Sequence, residues 1–120
     1  MSVEDRPHAV EAALDFEAQR TRGRIVALER DLTALQDATA DSPDDEHDPE
    51  GATIAFERQQ VASLLAAARS RLAELDDARA RLELGDYGRC ADCGQAIPLE
   101  RLLARPAVRR CAGCEARAER

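Results

Sequence analysis

Between residues 8 and 40 the positions Leu14, Ala18, Thr21, Ile25, Leu28, Leu32 and Leu35 recur in alternating steps of three and four. That spacing keeps one stripe of a helix turned toward a partner helix. A second stripe begins at Ile54 and runs through Val61, Leu65, Ala68, Leu72, Leu75 and Leu82. Arg58 and Arg79 interrupt it, and their aliphatic stems can lie along the seam with the charge at its edge. Between the stripes, "TADSPDDEHDPEG" breaks the period, because Pro43 and Pro49 each disfavour helix at the residue before them and Gly51 loosens the backbone. The pattern predicts two helices of about 30 residues joined by a short turn, an antiparallel coiled-coil hairpin. "LELGDYG" predicts that the second helix stops at Gly85.

Beyond Gly85 the informative pattern is cysteine spacing. Cys90-x-x-Cys93, seventeen intervening residues and Cys111-x-x-Cys114 match a four-cysteine zinc site. Each pair lets two sulfurs converge on one ion, with Gly94 and Gly113 expected to ease the tight backbone. A redox pair would want a strand-helix unit to house it, and no strand-rich stretch is present. Four thiolates around Zn²⁺ leave no open coordination position, so the ion is expected to be structural, one per chain. A segment this short has little core of its own, and metal binding should supply much of its folding free energy. Arg89, Arg109 and Arg110 are placed to offset the negative charge of such a site, or to form a basic patch for a partner. The expected architecture is therefore mainly α: a hairpin over residues 1–85 with an acidic tip at 41–51, then a small four-cysteine zinc finger at 86–120.

Composition sharpens this picture. Phe16, Phe56 and Tyr87 are the only aromatic residues, so any core is built from Leu, Val, Ile and Ala. The net charge of −7 is uneven: residues 1–50 carry fourteen acidic side chains against five Arg, and residues 51–120 carry ten against twelve. An acidic first half argues against a protein that coats nucleic acid. A nucleic-acid-binding zinc module is the alternative reading, with Arg101, Arg105, Arg109, Arg110, Arg117 and Arg120 as phosphate contacts, but the acidity and the lack of stacking aromatics oppose it. No nucleophile-base pair or open metal site points to an enzyme. The charged amino terminus lacks the apolar core of a secretory signal, and no run of about 18 apolar residues exists. The expectation is a cytoplasmic protein without a membrane segment, in a compartment where paired cysteines bind metal more often than they form disulfides.

The stretch "GDYGRCADCG" and the following "IPLERLLARPAVRRC" resemble the TraR/DksA family of four-cysteine zinc-finger regulators of bacterial RNA polymerase. Gly85-Asp86-Tyr87-Gly88, Cys90-x-x-Cys93-Gly94, Ile97, Arg101-Leu102, Ala104-Arg105-Pro106 and Cys111-x-x-Cys114 carry the resemblance, and the acidic hairpin adds a looser match. The resemblance implies a protein that binds RNA polymerase directly, without DNA, and inserts its hairpin into the secondary channel so that the tip approaches the catalytic centre. It also implies altered open-complex stability and promoter output, in some members together with the alarmone ppGpp.

The turn fits that implication. "DSPDDEHDPE" holds Asp41, Asp44, Asp45, Glu46, Asp48 and Glu50 within ten residues, and like charges so close favour an extended, solvated loop. Asp44, Asp45, Glu46, Asp48 and Glu50 are the candidate partner-binding residues, able to pair with basic groups or to act on a catalytic Mg²⁺, which takes oxygen ligands. Asp48 is also placed to cap the second helix, with Pro49 in its first turn. The family's best-known tip reads Asp-x-x-Asp-x-Ala. Aligned on Asp48, this chain has Gly51 and Thr53 at the second Asp and the Ala, which leaves the direction of regulation open.

Overall fold

Ala, Leu, Glu and Arg lose little side-chain entropy on entering a helix, and the stretches rich in them form the two longest elements. The computed structural model describes residues 5–41 and 49–119, with side chains described at 6–38 and 51–119. Four helices are present among the described residues: α1 (Asp5–Asp41), α2 (Pro49–Glu83), α3 (Leu99–Ala104) and α4 (Ala112–Ala118). No strand occurs among the described residues, and Arg89 and Ala96 form one isolated antiparallel bridge. α1 starts three residues before the expected position because Pro7 is tolerated in a first helical turn, where its missing N–H has no partner to lose. α2 opens on Pro49 for the same reason.

The end of α2 is set by Gly85. Its φ of 78° lies in the left-handed region, where a side chain would be strained. The Gly85 amide donates to the Leu82 carbonyl at 3.2 Å and the Asp86 amide to the Arg81 carbonyl at 2.8 Å. This crossed pair satisfies carbonyls that the last helical turn would otherwise leave open.

Packing divides the chain into two compact units, Met1–Gln19 with Ala73–Arg120, and Arg20–Leu72. In the first unit Val10 and Leu14 of α1 meet Leu75 and Ala78 of α2, in the antiparallel sense the seams predict. The same cluster continues through Cys90, Ile97, Leu102, Ala107, Val108 and Cys114, with Leu82, Tyr87, Leu99 and Cys111 against its edge. Leu14 and Leu75 are each 1% exposed, and fully burying such a side chain contributes about 1.5–3 kcal/mol. Arg79, read from the sequence as a seam-edge residue, is half-buried and pairs with Asp15 of α1.

In the second unit the two helices meet through Leu28, Leu65 and Ala68, with Ile25, Leu32 and Val61 partly buried beside them. An exposed ion pair, Arg69 to Glu29 at 3.5 Å, crosses between the helices; at this exposure it contributes little. Helix pairs in both units follow the predicted stripes. The candidate tip residues Asp44, Asp45, Glu46 and Asp48 lie outside the described residues, as does the side chain of Glu50.

A four-cysteine metal centre

Two different local structures bring the sulfurs together. The first pair sits on a tight backbone turn: the Gly94 amide donates to the Cys90 carbonyl at 2.9 Å, and the Cys90 amide to the Gln95 carbonyl at 2.8 Å. Gly94 has φ 75°, which explains its place immediately after Cys93. The second pair sits at the start of α4. Cys111 is the N-cap, and its Sγ accepts from the Cys114 amide at 3.4 Å. A thiolate there lies at the positive end of the helix and takes a donor that would otherwise go unpaired. Gly113 departs from expectation: it belongs to α4, is not among the glycines with positive φ, and a Cβ there would meet nothing within 4 Å. A helix start already supplies the turn that a glycine was expected to ease.

Three contacts fix one pair against the other. The Ala91 amide donates to the Arg109 carbonyl at 2.7 Å, bringing the first turn to the chain just before Cys111. Tyr87 Oη donates to the Pro106 carbonyl at 2.8 Å across nineteen residues. Arg101 Nε donates to the Arg110 carbonyl at 3.1 Å, tying α3 to the second pair. Pro106 helps end α3, because the residue before a proline avoids helical backbone, and Arg105 has φ −136° and ψ 77°.

All four Sγ atoms lie within 4.8 Å of one another, and Cys93 Sγ is 3.9 Å from Cys111 Sγ. A Zn–S bond of about 2.3 Å in a tetrahedron puts the sulfurs about 3.8 Å apart, so the cluster fits one zinc ion. All four cysteines are free thiols rather than disulfides. Cys90 and Cys114 are buried, Cys111 is partly buried and Cys93 is exposed. The electrostatics are graded. Backbone amides of Cys111 and Cys93 pull the Cys90 thiol down to about 6. The Cys114 amide is the main cause of a lowered value at Cys111. At Cys114 the Arg117 guanidinium favours the thiolate, but the sulfurs of Cys111 and Cys90 outweigh it and push the thiol up to about 11. Thiolates packed this closely cannot all ionise without a cation, and Zn²⁺ supplies that cation while keeping the four sulfurs together.

The arginines behave differently from their sequence reading. Arg89 Nη1 reaches the Gly94 carbonyl at 3.4 Å, Arg109 pairs with Asp77 at 3.7 Å and Arg110 with Asp92 at 2.9 Å. Arg117, read from the sequence only as a possible phosphate contact, donates from Nη2 to Cys114 Sγ at 3.2 Å. Its sequence signal was the spacing of three residues from Cys114 on a helix, which puts both on one face. Of the six arginines in the nucleic-acid alternative, Arg101, Arg109, Arg110 and Arg117 are thus engaged within the finger and its helical base. Beside the centre lies a cleft of about 720 Å³ lined by Arg81, Arg105, Arg109 and Arg110 among the carboxylates Glu74, Asp77 and Glu115.

Residues 85–120 match the family model described as a prokaryotic dksA/traR C4-type zinc finger. An uncharacterized protein of Aquifex aeolicus (strain VF5) is 47% identical over 49 residues, 41% of this chain and 34% of that protein, so the match spans about a third of that relative's length. The solved structure of transcription factor DksA2 from Pseudomonas aeruginosa is 31% identical, with a TM-score of 0.76 over 99% of this chain and 86% of the other. A finger with one structural Zn²⁺ and a helical hairpin shared along almost the whole chain leave one assignment: the protein belongs to the DksA/TraR family of four-cysteine zinc-finger proteins.

Proposed function

We propose that this protein is a transcription regulator that binds bacterial RNA polymerase directly, using residues 1–85 as a coiled-coil lever in the secondary channel and residues 86–120 as a zinc finger. Cys90, Cys93, Cys111 and Cys114 ligate the ion, and Asp44, Asp45, Glu46, Asp48 and Glu50 carry negative charge toward the polymerase catalytic centre. The observation that carries this reading is the likeness to transcription factor DksA2 over 99% of the chain, hairpin and finger together. A nucleic-acid module would need only the finger. Engagement of Arg109 by Asp77 and of Arg110 by Asp92 further weakens a phosphate-binding role for that finger. The role is regulatory: four thiolates close the metal shell, and zinc there holds the finger together instead of activating water.

Binding of the purified protein to polymerase core, with and without DNA, tests the partner. Binding to polymerase with no affinity for free DNA is the expected result, and the reverse result favours the nucleic-acid module. In vitro transcription with and without ppGpp then tests the tip. Changing Asp44, Asp45 and Asp48 to Asn and Glu46 to Gln should abolish the effect on promoter output while leaving polymerase affinity within about threefold, because Asn caps a helix about as well as Asp. A quadruple variant that still regulates like the wild type would reduce the turn to a solvated connector.

A further inference from the structure

Three of the finger's arginines are directed away from sulfur, to a carbonyl, to Asp77 and to Asp92, whereas Arg117 turns its guanidinium onto Cys114. The contact is local and directional. Cys114 and Arg117 are three residues apart on α4, and Nη2 stands 3.2 Å from Sγ. Cys114 itself is buried in the core, while Arg117 is exposed, so the guanidinium covers the sulfur from the solvent side. Such a charge-assisted hydrogen bond draws electron density from a thiolate, and groups that orient a metal ligand typically change metal affinity about 10–100-fold when removed.

We propose that Arg117 is a positioning residue of the zinc centre: it holds Cys114 Sγ in its coordinating orientation and shields that sulfur from electrophiles, slowing loss of the ion. The proposal rests on the reading of the four cysteines as zinc ligands. Arg117 takes no part in binding the ion itself. It acts through Cys114, which is joined to the hairpin base by the shared core, so a loosened Cys114 exposes the finger at one of its two buried ligands. The remaining ligands meet other donors, such as the Cys114 amide at Cys111, and depend less on this side chain.

The experiment uses the full zinc-loaded chain challenged with N-ethylmaleimide, which forms a carbon–sulfur bond as the zinc–sulfur bond breaks, with the proton for the second maleimide carbon coming from water. Released zinc is followed with a coloured chelator, and mass spectrometry reads which cysteine is modified first. Arg117→Met should speed modification at Cys114 about tenfold and weaken zinc binding about 10–100-fold. Arg117→Lys should recover much of the loss, since it restores the charge without the planar fork. Arg105→Met removes the same charge from the finger away from sulfur and should stay within about twofold. Equal acceleration in the Arg105 and Arg117 variants, an unchanged rate in Arg117→Met, or faster modification spread evenly over all four cysteines would overturn the proposal. Circular dichroism before the challenge separates a folded variant from an unfolded one, and an unfolded Arg117→Lys also counts against a role confined to Cys114. Zinc content tells the two failures apart: a wild type that holds no zinc overturns the ligand reading, whereas one zinc per wild-type chain with an indifferent Arg117→Met overturns only the role of Arg117.

Discussion

The two compact units are built from the same pair of helices yet hold together differently. Among the described residues of the unit 20–72, the buried hydrophobic side chains are Leu28, Leu65 and Ala68, with Thr21 buried as well and Ile25, Leu32 and Val61 packed partly buried against them, so the helices rely on propensity and a narrow seam. In the other unit the hairpin base shares one core with the finger, and two of its buried members, Cys90 and Cys114, are also the sulfurs of the metal centre. A metal site of this kind is a part of the hydrophobic core, so the ion's contribution to folding is expected to reach beyond the finger into helices that carry none of its ligands.

Zinc removal is the largest perturbation of that contrast. Chelation, or Cys90→Ser or Cys114→Ser, should cost amide-exchange protection not only in residues 86–119 but also in residues 5–19 and 73–83, while residues 20–72 keep most of theirs. Hydrogen exchange read by mass spectrometry decides the matter. Full protection retained around Leu75 and Ala78 after zinc removal would mean that the hairpin base is independent of the metal.

A smaller effect compares equal truncations. Leu75→Ala empties a site 1% exposed in the shared core and should cost about 3–5 kcal/mol, whereas Leu65→Ala in the narrow seam, where the helices can close up, should cost about 2 kcal/mol. Urea unfolding of the zinc-loaded variants gives both values. Equal losses would remove the distinction between the two seams.

The smallest expected effect concerns Tyr87, which bridges to Pro106 at 2.8 Å. Tyr87→Phe leaves that carbonyl without its donor and should cost about 1–2 kcal/mol. Burial pushes the Tyr87 hydroxyl up to about 12, against a partial downward pull from Arg81. The folded chain therefore holds the neutral phenol more strongly than the unfolded chain does, whose tyrosine titrates near 10. That contribution is complete below pH of about 10 and is lost as pH rises through about 12. Because Tyr87 is the chain's only tyrosine and no tryptophan is present, tyrosinate absorbance reports it alone. A midpoint near 10 in the folded protein would show that the finger does not cover this ring.

Much of this architecture was legible in the sequence because its determinants are short-range. Steps of three and four marked the buried stripes of α1 and α2, proline chemistry placed the start of α2, and Gly85 marked its end. The two Cys-x-x-Cys pairs announced the metal centre because its ligand geometry is imposed by residues three apart. Val10 and Ala78 were missed as seam residues, although Ala78 is 0% exposed. Alanine is common on every face of a helix, and only the arrival of Val10 and Leu14 from the other end of the hairpin shows which one is covered. The arginines were ambiguous for a similar reason. A flexible, long side chain near a cysteine in sequence can turn toward sulfur, a carbonyl or a carboxylate, and the choice depends on groups such as Asp77 that lie on another element. Sequence by itself determined the helices, their antiparallel seam and the set of sulfurs, since periodicity and ligand spacing act within a turn or two of chain. Tertiary structure alone decided that the finger and the hairpin base share a core and that Arg109 pairs with Asp77, because those outcomes depend on which distant surfaces come into contact.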